Sequence, residues 1–588
     1  MLMILIYFTL ISGTLVASEI CSVCKCVFAD VRRVDADLAE DVEIMTFKYK
    51  METLESYNSN VTYKSVKKYF HVDCSSDSNV GQMNNLEWPK LDVLGIIGNF
   101  RRSKWKKLEF FPDHIKGQIV VLSLSENKIS EIEPNELDDF QNLKMLNVTG
   151  NQMEIVKKHS FAKLNNLKML DLSNNIITQI EDWAFYETQL KYLNLSGNLL
   201  TYLTPDSLQG LGNVLMLDVS DNNLIKLPEN FAIRLKSLTF LSLNGNSFTN
   251  LPELPKDLKK VYVRRNQLDE LRLSHSQLQI LDVGSNNIAS LANLHTPALK
   301  VIKADNNNLT NLLQLNSKGI VIMDLSNNKF TAVPQDITVD RFYFLERLYM
   351  DGNFITNASF PFQPEPFQNL RTLSFSKCSL EVLSKTMFSG VFPRNKIDCF
   401  RSHGISLDFS HNFINQIDYD ALQNYPICSI DLSNNKLRTI SESFVPWKKM
   451  SHVNLQKNPW HCDCSIQWML DNYMTFMYKN YPKYLHELRC ETPLRYNSKM
   501  FVFWYNKTDD VFCKSGPSSL YFDVINGRTI EVWTASAVAC VVLACIIVLL
   551  ALAITILLCM KPQKRRRQPK KINQVTNNYK PVLQNPKE

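Results

Sequence analysis

Along the middle of the chain, apolar residues recur in a nine-residue frame and not at helical spacing. The frame L-x-x-L-x-L-x-x-N reads LKMLNVTGN at 143–151, LKMLDLSNN at 167–175, LKYLNLSGN at 190–198 and VLMLDVSDN at 214–222. It continues through LKKVYVRRN, LQILDVGSN, IVIMDLSNN and LERLYMDGN to HVNLQKN, about 16 turns whose asparagines are mostly 23 to 25 residues apart. The L-x-L portion predicts a short strand whose alternate side chains enter a core. The asparagine turns the chain, and its amide is suited to satisfy backbone groups of the neighbouring turn. A unit with one apolar face cannot bury it alone, so the units are expected to stack into a solenoid. Leu170, Leu172 and Leu195 are core positions in that arrangement.

The x positions then line the concave face of a parallel sheet, and any recognition surface lies among them. Ser173, Ser196, Ser220, Ser326 and Ser433 read as solvated filler. Between the asparagines at 246, 266, 286, 307 and 328 the spacing drops to 20 or 21 residues, which leaves less material on the convex side and should change the curvature. That stretch holds YVRR, which puts Tyr262 and Arg264 outward on the concave face with Arg265 at the turn. Tyr and Arg are enriched at protein–protein hot spots. Lys303 and Tyr349 take the place of Tyr262 on later turns, so the five residues form a candidate ligand surface, with ordinary surface variation as the competing reading.

The first 18 residues carry no charged side chain and end in small residues, as a signal peptide cleaved near Ala17 or Ser18 does. A second uncharged run, 534–560, would reach roughly 40 Å as a helix, more than a bilayer's roughly 30 Å of hydrocarbon. Trp533 borders it on one side and KPQKRRRQPKK on the other, which places 561–588 in the cytoplasm and the preceding residues outside. The tail holds nine Lys/Arg against Glu588, so the basic excess of the chain (+7) resides there and gives no reason to expect nucleic acid as a partner. Its polybasic part suits anionic lipid. Within the tail, Tyr579-Lys-Pro-Val582 has the form of an endocytic sorting signal, and Cys559 at the inner boundary is a candidate for palmitoylation. Asn60, Asn147, Asn194, Asn308, Asn357 and Asn506 head glycosylation sequons. Asn147 and Asn194 are concave x positions, where glycans would push a partner toward later turns.

Cysteines outside the cytosol normally pair. Cys399 and Cys428 fall on adjacent turns where the repeat lengthens to 34 residues, and are expected to bridge. Cys378 replaces a frame asparagine and is expected to be buried and unpaired. Cys21, Cys24, Cys26 and Cys74 precede the repeats; Cys462, Cys464, Cys490 and Cys513 follow them, where each raw end of a solenoid needs a cap. A zinc site at His461, Cys462 and Cys464 is the rival for the second cluster, and the secretory route disfavours it.

Over residues 90 to 458 the frame resembles the leucine-rich repeat family. NPWHCDCSIQW, from Asn458 to Trp468, with CETP at Cys490, resembles the C-terminal flanking module of extracellular members. The resemblance implies Cys462–Cys490 and Cys464–Cys513 pairs there, and Cys21–Cys26 and Cys24–Cys74 in an N-terminal flank with an unusually long insertion. It also implies an α/β leucine-rich repeat solenoid with a curved parallel sheet, disulfide caps and one transmembrane helix. The domains would be a signal peptide (1–18), an N-terminal cap (19–88), repeats (89–458), a C-terminal cap (459–514), a stalk (515–533), the span (534–560) and the tail (561–588).

No metalloprotease, nucleophile-elbow, phosphate-loop or kinase pattern occurs in the sequence, and no cofactor site is read from it. The layout resembles leucine-rich repeat adhesion molecules and receptors of animal cells, including Toll-like ectodomains. The expectation is a non-enzymatic, single-pass plasma-membrane protein that recognises an extracellular or cell-surface protein, with dimerisation left open. The alternatives are an accessory or co-receptor subunit, or an innate-immune recognition protein whose short tail holds no signalling domain.

Overall fold

The computed structural model describes residues 25–29, 69–74, 96–101, 106, 111–312, 315, 317–392, 399, 404–418, 421–422, 425–445, 450–505, 511–513, 521–525 and 528–532. The chain divides into two units, 1–512 and 513–588. Residues 1–18, the apolar run 534–560 and the tail lie outside the described residues, as do Cys21, Cys24, Asn60, Asn506, Cys559, Tyr579 and Val582. Among the described residues no helix is long and apolar enough to cross a membrane. In the second unit, Tyr521–Ile525 and Arg528–Val532 form an antiparallel hairpin.

The first unit is a β-solenoid around one 18-stranded sheet. Its opening pair, Lys25–Ala29 and Tyr69–Asp73, is antiparallel. From Tyr69–Asp73 onward each turn adds a parallel strand beside the last, ending at His452–Asn454. The middle residue of each strand points inward: Leu146, Leu170, Leu193, Leu217, Leu241, Val261, Leu281, Ile302, Met323 and Leu348 are all buried. Behind them Phe140, Phe161, Phe185, Phe231, Phe248, Phe330 and Phe342 fill the wider convex side. One core runs the length of the repeats because no turn can cover its own apolar face.

The convex return departs from the α/β expectation. Among the described residues α-helix amounts to Asp113–Lys116, Phe231–Arg234 and Met474–Asn480. Elsewhere the chain returns through turns and two-residue ladders such as Ile155–Val156 with Gln179–Ile180. Units this short leave too few residues for a stable helix, and prolines such as Pro252 and Pro255 interrupt the shortest of them.

The frame asparagines form the ladder their spacing predicts. Asn286 is typical: its Nδ2 donates to the carbonyls of Val263, Val283 and Gly284, and its Oδ1 accepts from Leu268 N–H at 3.0 Å. Each such amide thus ties its own turn to the one before. The residue preceding the asparagine sits in the left-handed region, with φ of 53° at Asn174, 51° at Asp221, 57° at Arg265 and 64° at Gly352. That requirement explains why Gly, Asn and Asp recur there.

Cys378 occupies a frame position, is buried and is a free thiol, and its Sγ lies 3.3 Å from the Met350 carbonyl that an amide would otherwise engage. Cys399 and Cys428 are joined, with Cα atoms 5.3 Å apart. After the last turn, Cys462 is joined to Cys490, and Trp460–His461 pairs with Cys490–Thr492. Cys74, Cys464 and Cys513 are also disulfide-bonded. The zinc alternative has lost its sulfur ligands to these bonds, and His461 Nδ1 lies 2.7 Å from Thr492 Oγ1. The buried rings of Trp460, Trp468 and Tyr473 close the end of the core. Each also reaches a carbonyl of the preceding turns, at Leu455, Ile440 and Val453.

Candidate functional site

The parallel register brings the strand x positions into rows across the concave face. One row runs Asn147, Asp171, Asn194, Asp218, Ser242, Tyr262, Asp282, Lys303, Asp324, Tyr349, Ser374, Asp408, Asp431. Tyr262, Lys303 and Tyr349 do share this row, and Asp282 and Asp324 stand between them. Those two aspartates do not stand out in the sequence, because Asp is the common residue at this x position and the frame does not show which turns flank it.

Asp and Asn dominate the row for a structural reason. The Oδ1 of Asn147, Asp171, Asn194, Asp218, Asp324, Asp408 and Asp431 accepts the N–H of the residue two places on, at 2.8 to 3.1 Å. The side chain so closes the turn that leads to the frame asparagine, in the manner of an Asx turn. The donating N–H groups belong to Ser173, Ser220, Ser326 and Ser433 among others, and these four serines are buried, not solvated filler as expected. They are covered because the turn folds over them.

Tyr262, Lys303 and Tyr349 break this rule, since none of them can act as the turn-closing acceptor. In the Tyr262 turn the acceptor is Asn244 Oδ1 of the preceding turn, which takes Arg264 N–H at 2.6 Å. The aromatic ring packs at 5.3 Å from Phe240.

Arg264 is drawn into the sheet and is not an open ligand contact. Its guanidinium meets the Asp305 carboxylate with both terminal nitrogens, Nη1 at 2.7 Å, and approaches Asp282 at 3.5 Å. To do so it crosses the turn of Gly284, where a Cβ would stand 2.2 Å from Nη1 and 2.6 Å from Asp305 Oδ1. Asp305 holds the guanidinium firmly charged. Burial tends to raise the Asp305 carboxyl, but Arg264 outweighs it and the net direction is down. Asp282 goes the other way, raised chiefly by burial. Arg265 stands on the left-handed turn position, exposed, and pairs with Asp221 at 2.8 Å. Of the five residues singled out from sequence, Tyr262 and Tyr349 are half-buried and Lys303 exposed on the row; Arg264 is an internal strut and Arg265 an edge ion pair.

A second row lies two residues earlier: Met145, Met169, Tyr192, Met216, Phe240, Lys260, Ile280, Val301, Ile322, Arg347. It forms an apolar stripe beside the polar row, interrupted by Lys260 and ended by Arg347. The sequon residues Asn147 and Asn194 are half-buried in the polar row beside Met145 and Tyr192, while Asn308 and Asn357 lie on turns outside both rows, Asn357 exposed.

These features are those of a leucine-rich repeat solenoid. A leucine-rich repeat family profile matches residues 154–200 and 188–248. Among solved structures, the chain is similar to Toll in the glycosylated Toll–Spatzle complex of Drosophila, with 21% identity, a TM-score of 0.51, and coverage of 70% of this chain and 64% of that one. It also matches a chain of the LRIM1/APL1C complex at 17% identity and a TM-score of 0.44, covering 70% of this chain and 72% of that one. The chain therefore spans under two thirds of the Toll chain's length, and at these identities the likeness is one of fold.

Proposed function

We propose that the protein is a single-pass type I membrane protein of the plasma membrane whose leucine-rich repeat ectodomain recognises another protein through its concave face. The observation that carries this reading is the exchange of turn-closing Asp or Asn for Tyr262, Lys303 and Tyr349 in one row. A position that departs from a local structural rule is where function is expected. The Toll structure, which is a complex with Spatzle, supports protein recognition by such a solenoid. The uncharged runs at 1–18 and 534–560, the sequons and the extracellular-type disulfides support an exported ectodomain, with Cys559 and Tyr579 to Val582 as membrane-proximal and sorting elements.

A screen of the full-length chain, displayed on cells, against secreted and cell-surface proteins tests the reading. Capture of a protein ligand that is lost in Tyr262→Ala with Tyr349→Ala is the expected result. Undiminished capture by that double variant would remove the concave assignment. Absence of surface labelling and of any mobility shift on deglycosylation would remove the membrane and glycoprotein assignments.

An accessory role is the second reading. It is favoured by apolar side chains left exposed on the turn flank, Ile176 and Leu199 on adjacent turns and Ile225 beyond them. Co-purification with one membrane protein, without any soluble ligand, would support it.

A further inference from the structure

The concave rows enclose a frame between the strands Lys260–Tyr262 and Arg347–Tyr349. Each end presents a cation and a tyrosine on one strand, Lys260 with Tyr262 and Arg347 with Tyr349. Between them the apolar row reads Ile280, Val301, Ile322, all half-buried, and the polar row reads Asp282, Lys303, Asp324. In the middle of the polar row Lys303 stands between two carboxylates, and Asp282 also faces Arg264, whose closer partner is Asp305. Among the described residues Lys260 and Arg347 make no ion pair, and Arg347 is exposed.

We propose that this frame receives an extended segment of a partner protein that carries one carboxylate at each end of a short apolar run. The proposal rests on the concave-face reading above and names the chemistry of its ligand. Charge complementarity sets the ends: two uncompensated cations with a tyrosine beside each ask for acidic groups, and the Ile-Val-Ile floor asks for aliphatic side chains between them.

Length sets the spacing. The two ends are four strand steps apart, about 19 Å at about 4.8 Å per step. An extended chain rising about 3.3 Å per residue covers this in about six residues. The carboxylates then fall at i and i+6, on one face, with apolar residues at i+2 and i+4. A small anion does not bridge the two ends.

The test uses beads densely coated with the peptide Glu-Ser-Leu-Ser-Leu-Ser-Glu, so that weak single contacts add to measurable retention. Control beads carry the same peptide with Lys at both ends, or with both Glu at one end. The full-length chain is expected to be retained about tenfold better by the Glu-ended peptide than by either control. Lys260→Glu with Arg347→Glu is expected to invert the preference toward Lys ends. Equal retention of all three peptides, or an unchanged preference in the double variant, overturns the proposal. Where charge reversal disturbs folding, as judged by near-ultraviolet circular dichroism, Lys260→Gln with Arg347→Gln replaces it, and a preference that survives the neutral pair overturns the proposal equally. Ile322→Asn separates the two levels. Loss of capture in Ile322→Asn alone leaves the concave reading standing and sinks the acid-ended ligand; capture unaffected by any of these changes sinks both.

Discussion

Single side chains decide how each turn closes, and two of them make this measurable. Asp171 is 1% exposed and, among the described residues, its Oδ2 has no hydrogen-bond partner, while Oδ1 takes Ser173 N–H. Burial raises its carboxyl above the ordinary value, against the opposing influence of Ser173, Thr149 and Asn194. Because the fold favours the protonated form, the native state gains stability as pH falls through that raised value, until the unfolded chain is protonated too near pH ~4. Asp171→Asn keeps the turn-closing oxygen, as Asn147 and Asn194 do natively. It is expected to stabilise the protein at pH 7 by about 1–3 kcal/mol, an advantage that disappears below about pH 4 in thermal melts. Cys378 is the second case: its burial lifts the thiol to about 11 and it supplies only a weak donor where every neighbour has an amide. Cys378→Asn is expected to add about 1 kcal/mol, seen as a raised Tm. The asparagine's role and the odd cysteine are legible in the sequence, because both belong to the frame. The buried carboxylate is not, because burial at an x position depends on the strands on either side.

At the scale of the element, the polar row shows that most concave Asp and Asn residues are built into turns before they are available to anything else. Replacement by Ala and by Asn should therefore give different outcomes. Asp408→Ala removes the acceptor of Ser410 N–H and is expected to lower stability by about 1 kcal/mol, whereas Asp408→Asn should leave the Tm unchanged. Equal effects of the two changes would mean that charge, not turn closure, is what the row provides. Arg264 carries the same lesson in the opposite direction. Its residue type marked it as a ligand contact, and only the crossing of Gly284 to Asp305 showed that its hydrogen bonds are spent within the sheet.

The first unit is a one-dimensional stack, so its ends matter more than its length. Trp460, Trp468 and Tyr473 cover the last turn and satisfy its carbonyls, and Cys462–Cys490 holds that layer in place. A chain truncated after Asn458 leaves the apolar end open and is expected to aggregate, by light scattering, under conditions where the full chain stays monodisperse.

The sequence alone determined the repeat, the inward residues, the asparagine ladder and the need for a closed end. Those properties follow from a periodic pattern in which each unit faces the same neighbours, so one unit's chemistry stands for all. The tertiary structure alone decided which side chains of different turns meet: Arg264 with Asp305, the buried Asp171, and the two tyrosines with their cations across an apolar floor. Such contacts depend on register between strands some 20 residues apart in sequence, and a frame that repeats tells what each turn contains without telling what its side chains reach.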